Sequence, residues 1–208
     1  MVELSDAGAE LLGDAESAAL RVLARLSESV SGREVARRGG VSPSSMRRAL
    51  ERLVQTGLVR SRVSSHAVLY EANRDHVLWE PVLVILTAPA RLLTEIGALV
   101  TDRAGEAATV AVFGSVARGT ATADSDLDLL LVLPENTTDS IREALVDDLT
   151  TLIETRAGNP AQVLTLTPAQ LHTMTAAGDP LIDSLRQDAR TLAGPSLTGL
   201  LNASVAAA

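Results

Sequence analysis

The residues of this chain whose types and spacing could do chemistry lie together in one stretch, Thr109 to Leu133, TVAVFGSVARGTATADSDLDLLLVL. Two apolar runs, Val110 to Phe113 and Leu127 to Leu133, have the length and composition of buried strands. Between them runs a polar loop of Gly, Ser, Thr and Asp. Gly114 and Ser115 close the first run, and Asp126 and Asp128 open the second. Side chains two apart on a strand share a face, so the two carboxylates should stand side by side. Such a pair repels, and one member tends to keep its proton. A divalent cation removes the conflict, and Mg²⁺ (or Mn²⁺) takes one or two carboxylates together with phosphate oxygens. Gly114 allows close backbone approach or an unusual dihedral angle. Backbone N–H groups from Ser115 to Ala117, at the start of a following helix, suit an anion. Arg118 adds a positive charge. The chemistry implied is the holding of a metal-bound polyphosphate.

Gly114-Ser115, ten residues, then Asp126-Leu127-Asp128 resembles the core motif of the DNA polymerase β nucleotidyltransferase superfamily, in its small, minimal-nucleotidyltransferase form. The Ser115, Arg118, Gly119 run and Ser125 before Asp126 match as well. The resemblance implies that Asp126 and Asp128 are catalytic and bind metal. It implies that Gly114 and Ser115 contact the phosphates of a nucleoside triphosphate such as ATP, with Arg118 and Ser125 as further nucleotide-binding candidates. The reaction implied is transfer of NMP from the NTP to an acceptor, by in-line attack on the α-phosphate with release of pyrophosphate. In that family a third acid on a later strand completes the arrangement. Here the matching strand reads Ala161-Gln162-Val163-Leu164-Thr165-Leu166, and the position falls on Gln162. A neutral amide is neither a general base nor a good metal ligand. Asp124 is close to the pair but belongs to the loop, while Asp147, Asp148 and Glu154 lie on the preceding helix. Two readings follow: a metal-dependent nucleotidyltransferase, or a transcription regulator whose nucleotidyltransferase fold binds or senses a nucleotide without turnover.

Elements that could position this stretch can be read outward from it. After Leu133, apolar spacing at Ile141, Leu145, Leu149, Leu152 and Ile153 predicts a helix ending at Gly158. A strand from Gln162 to Thr167 follows, then helices opened by Pro168 and Pro180, a short strand at Thr191 to Ala193, and a frayed tail from Pro195. Strands alternating with helices imply a mixed sheet with helices on one side.

The N-terminal part has different chemistry. Asp14 reads as the N-cap of a helix from Ala15 to Glu28. Ser31 and Glu34 form a capping box for a second helix that stops at Gly39-Gly40. Ser42 and Pro43 open a third, which Gly57 ends. Two strand-like runs, Leu58 to Val63 and Ala67 to Glu71, surround the turn Ser64-Ser65-His66. Three helices and a hairpin in this order resemble a winged helix-turn-helix of bacterial transcription regulators. Between Val30 and Arg62 there are eight arginines against two glutamates, in a chain of net charge −8. This local excess is the footprint of phosphate contacts with double-stranded DNA, and Arg33, Ser44, Ser45, Arg47, Arg48, Arg52 and Arg62 are the DNA-binding candidates. A homodimer is expected, since paired recognition helices read two half-sites.

The fold class predicted is thus α+β, in three parts. Residues 1–75 form a winged helix-turn-helix, 76–104 a helical connector broken near Ala88-Pro89, and 105–208 a nucleotidyltransferase-like domain. His76 and His172 lack the spacing of metal ligands, and Trp79 is expected in connector packing. There is no cysteine, so no disulfide framework or thiolate metal site. Acidic residues interrupt the N-terminus, and the longest apolar run, Val82 to Leu86, is short for a membrane span. A soluble cytoplasmic protein with no membrane partner is expected. A protein acceptor is compatible with the family; no residue identifies it.

Overall fold

The computed structural model describes residues 7–206 except His66, so the expectation that His66 is a turn residue lies outside the described residues. The chain divides into two compact units, the first ending at Ala88 and the second beginning at Pro89.

The first unit opens with α1 (Ala7–Leu12) and α2 (Asp14–Ala24). Then come β1 (Val30–Ser31), α3 (Gly32–Gly39), α4 (Pro43–Gln55), β2 (Val59–Val63) and β3 (Val68–Ala72). The three strands form an antiparallel sheet in the order β1-β3-β2. α1 and β1 were not legible in the sequence, being too short to show a period. α2 stops at Ala24 instead of Glu28, and Gly13, not Asp14, is its N-cap. The segment after it extends so that Val30 and Ser31 can pair with Tyr70 and Leu69. Ser31 caps α3 as expected, accepting the Glu34 N–H at 3.3 Å. The reciprocal half of the box is absent. The Glu34 carboxylate instead accepts 2.6 Å bonds from both Arg37 and Arg38, and these hold it well below the usual range, at about 2. Ser42 caps α4 with Pro43 in its first turn. Leu20, Leu23, Val35, Met46, Leu50 and Leu53 meet Trp79 and Val82 in one core.

α5 (Trp79–Ala104) is a single helix containing Pro89, so the expected break at Ala88-Pro89 does not occur. An interior proline removes one hydrogen bond and costs about 3 kcal/mol. Apolar anchors on either side offset this: Trp79, Val82 and Leu86 in the first core, Leu92, Ile96 and Val100 in the second. By length and composition α5 could also cross a membrane; those six positions are buried against the rest of the chain.

The second unit continues with β4 (Thr109–Phe113), α6 (Gly114–Arg118), β5 (Leu127–Val132) and α7 (Asp139–Ala157). It closes with β6 (Ala161–Leu166), α8 (Pro168–Ala177), α9 (Pro180–Asp188), β7 (Arg190–Ala193) and α10 (Leu197–Ala206). The sheet order is β6-β5-β4-β7, antiparallel except for the parallel β5–β6 pair. The mixed sheet and the α+β class stand. The expectation of helices on one side does not. Val110 and Val112 of β4 and Leu129 and Leu131 of β5 face α5 and α7. Ala111, Leu130 and Val132 face Leu171 of α8, Ile182 and Leu185 of α9, and Leu197 and Leu201 of α10. A strand apolar at successive positions, as Leu129 to Val132 is, buries both faces only when both are covered. The tail expected to fray is the helix α10, held by Leu197 and Leu201.

Candidate functional site

Leu127 and Leu129 point into the core beneath α5 and α7, so Asp126 and Asp128 turn to the opposite face, at the end of β5 nearest α6. Asp128 lies in register with Phe113 of β4 on one side and Gln162 of β6 on the other. Gly114 follows Phe113 with φ +69°, and a Cβ there would collide with the Asp128 carboxylate. Glycine is required twice over at this position, for its dihedral angle and for the space. The close backbone partly desolvates Asp128. Burial first, then the charge of Asp126, pushes its carboxyl above the ordinary aspartate range, and the Arg118 charge opposes them.

Gln162 stands where the sequence placed it, on the strand beside the pair and facing it. Its Nε2 donates to Asp126 Oδ2 at 2.5 Å. The third position is therefore filled by a hydrogen-bond donor that satisfies one carboxylate, not by a ligand. Asp124 is exposed on the loop, and Asp148 of α7 pairs with Arg103 at 2.9 Å. Among the described residues no group of three or more His, Cys, Asp or Glu could hold a metal. Two carboxylates with one raised in pKa do fit a single Mg²⁺ whose other ligands come from phosphate.

The loop before Asp126 is held from within and from below. The Thr122 N–H donates to Ser125 Oγ at 2.9 Å, and the Ser125 N–H returns to Thr122 O at 3.1 Å. Ser125 thus closes a local turn with its side chain. Asn159, fully buried between α7 and β6, donates Nδ2 to Ala123 O at 2.9 Å and Ser125 O at 3.1 Å. Sequence reasoning missed it: Gly158-Asn159-Pro160 reads as an ordinary turn, and only the burial reveals that its amide reaches the loop. Asn159→Ala should remove the donors to the partly buried Ala123 and Ser125 carbonyls, costing on the order of 1 kcal/mol or more. We expect a lower melting temperature and weaker Mg²⁺-dependent nucleotide binding. Unchanged values of both in calorimetry would remove Asn159 from the site.

Arg118 ends α6, closed by Gly119 in a left-handed cap. Its Nη1 donates to Asp188 Oδ2 at 2.7 Å.

In the first unit, the arginines differ in what they are committed to. Arg33 and Arg47 line one cavity with Ser31, Pro43 and Tyr70, between the starts of α3 and α4 and the strand β3. Ser44, Arg47 and Arg48 are exposed on the first half of α4. Ser44 and Ser45 share their hydroxyls with the Ser42 cap, at 3.1 and 3.0 Å. Arg62 donates to Ser29 Oγ at 2.8 Å, and Arg60 pairs with Asp75 at 3.0 Å. Arg52 is ion-paired with Glu16, a buried carboxylate of α2, and so is less available to a ligand than its exposure suggests.

Comparison with known proteins agrees with both halves. Residues 95–177 match the nucleotidyltransferase domain family, and residues 12–67 match the MarR family. Among curated proteins no match was found. Among solved structures, one described as a crystal structure of a toxin-antitoxin with AMP-PNP aligns at 15% identity and a TM-score of 0.40, over 55% of this chain and 85% of that one.

Proposed function

From a chain that joins a MarR-type winged helix-turn-helix to a nucleotidyltransferase domain, we propose a DNA-binding regulator that holds a Mg²⁺-bound nucleoside triphosphate at Asp126 and Asp128. The observation supporting the second half is Asp128 packed against Gly114 and raised in pKa by burial and by the charge of Asp126, a costly arrangement that a cation relieves. When bound, the metal supplies charge neutralisation for the polyphosphate. The chain's own residues orient the pair, through Gln162 on Asp126 and Asn159 on the preceding loop. Without a third carboxylate, binding without ordinary turnover is the reading favoured.

The second reading is NMP transfer to an acceptor, a protein among the candidates. The Gly114-Ser115 and Asp126-Leu127-Asp128 elements favour it. Incubation of the full chain with labelled ATP, GTP, CTP and UTP plus Mg²⁺, scored for binding and for transfer, separates the two. Binding of at least one without transfer is expected. Binding of none would overturn both.

DNA binding rests on the basic face of α4 and the cavity flanked by Arg33 and Arg47. Arg47→Ala with Arg48→Ala should weaken binding and lower the slope of log affinity against log salt by about 0.9 per lost phosphate contact. Equal affinity and slope would show that α4 does not face DNA. A dimer is the form expected on DNA, and sedimentation giving a monomer with and without DNA would count against it.

A further inference from the structure

In the second unit an ion pair joins Arg118 at the end of α6 to Asp188 at the end of α9. From residue 89 onward, seven arginines stand against fifteen acidic residues, so this half of the chain repels a polyphosphate. At the site itself, the cation acting on Asp128 is Arg118. Its guanidinium has five N–H donors, of which Nη1 is given to Asp188. The Arg118 side chain is 45% exposed, and that of Asp188 only 11%. This asymmetry decides what the pair can do. A largely buried carboxylate is not left without its partner, because the uncompensated charge would be strongly destabilising. Arg118 therefore stays on Asp188, half exposed, at the end of the short helix whose first residue, Gly114, packs against Asp128. Its backbone is fixed as well: the Gly119 N–H returns to Val116 O at 3.2 Å and the Thr120 N–H to Ser115 O at 3.0 Å.

We infer that Asp188, the last residue of α9, is the positioning residue that holds Arg118 in place to bind the polyphosphate of the nucleotide. This rests on the reading of Asp126 and Asp128 as a Mg²⁺–nucleotide site. An arginine already oriented loses little side-chain freedom when a ligand arrives, so its charge-assisted bonds count almost in full. A triphosphate offers those donors more phosphate oxygens and more charge than a monophosphate does. Asp188 thereby sets a preference for triphosphate over monophosphate, whatever the base.

The test is titration of the full chain, with Mg²⁺, by the four nucleoside triphosphates and the four monophosphates. Three variants are compared with the wild type: Asp188→Asn, Asp188→Glu and a double variant. Asp188→Asn keeps the shape and an acceptor oxygen. The double variant Arg118→Ala with Asp188→Ala removes both charges and leaves no buried carboxylate unpaired. For the best-binding triphosphate we expect a loss of about 10-fold or more in the double variant and a smaller loss in Asp188→Asn. Monophosphate affinity should fall by a smaller factor than triphosphate affinity in both. Asp188→Glu, which restores the charge, should recover part of the triphosphate affinity. A purely structural role would weaken both ligand classes alike, and that result would overturn the inference. So would unchanged triphosphate affinity in the double variant. If the wild type binds no triphosphate at all, the nucleotide-site reading itself fails and this inference falls with it.

Discussion

Asp128→Asn is expected to abolish Mg²⁺-dependent nucleotide binding and to raise the melting temperature of the metal-free protein. Both effects come from one cause. Asp128 is half-buried, close to Asp126, with its carboxyl above the ordinary range. The folded state therefore binds a proton more readily than the unfolded state. Where the folded chain holds more protons, stability falls as pH rises. The contribution of Asp128 is thus most favourable below the ordinary aspartate pKa and is lost as pH climbs from there through the raised value. At neutral pH, without metal, the ionised group is a burden on the fold. Asn removes the charge with little change of shape, so the unfolding transition should move up and lose part of its pH dependence above the ordinary aspartate pKa. Asp128→Asn is cleaner than Asp126→Asn, because Asp126 also accepts the bond from Gln162. Calorimetry with and without Mg²⁺ and nucleotide tests both parts. Equal nucleotide affinity in wild type and variant would show that the pair is no metal site. A lower melting temperature in the metal-free variant would show that its repulsion is already compensated by the fold.

The second large effect belongs to Gln162. Gln162→Glu keeps nearly the same length and puts a third carboxylate beside Asp126, and Gln162→Asp places the shorter acid that the superfamily uses. Either change removes the 2.5 Å bond to Asp126 Oδ2 and adds a repulsive charge. Metal-free stability should therefore fall, while metal affinity rises because a charged oxygen replaces a neutral one. If the wild-type chain transfers NMP slowly, the acid should speed it by up to the roughly 10²–10⁴-fold that a positioned general base contributes. The assay is release of labelled pyrophosphate, or labelling of the acceptor, in single-turnover conditions. A wild-type rate on the order of 1 s⁻¹ or more would show that Gln162 is no defect. The reading of nucleotide binding without turnover would then be abandoned.

Much of this arrangement was legible in the amino-acid order because local rules govern it. Ser42 and Pro43 start α4, Gly40 and Gly57 carry the left-handed caps that follow helices, and Pro168 and Pro180 open α8 and α9. The period of two placed Asp126 and Asp128 on one face, and the spacing from Gly114 placed them at one end of the sheet. The resemblance to the nucleotidyltransferase motif put Gln162 on the strand beside the pair, and the parallel register sets it opposite Asp128.

What only the tertiary structure decided depends on contacts between distant segments. Helix propensity alone marked Pro89 as a break, yet burial of Leu86 and Leu92 in two different cores keeps α5 continuous. The apolar positions of β5 did not say which helices would cover each face; that required α8, α9 and α10 to fold back over Leu130 and Val132. Arg118 and Asp188 are seventy residues apart, and Asn159 is thirty-six from Ala123, so no sequence window contains either pair. The residue types at the site come from the sequence. Their positions are fixed by buried polar groups that need partners and find them only when remote parts of the chain are packed together.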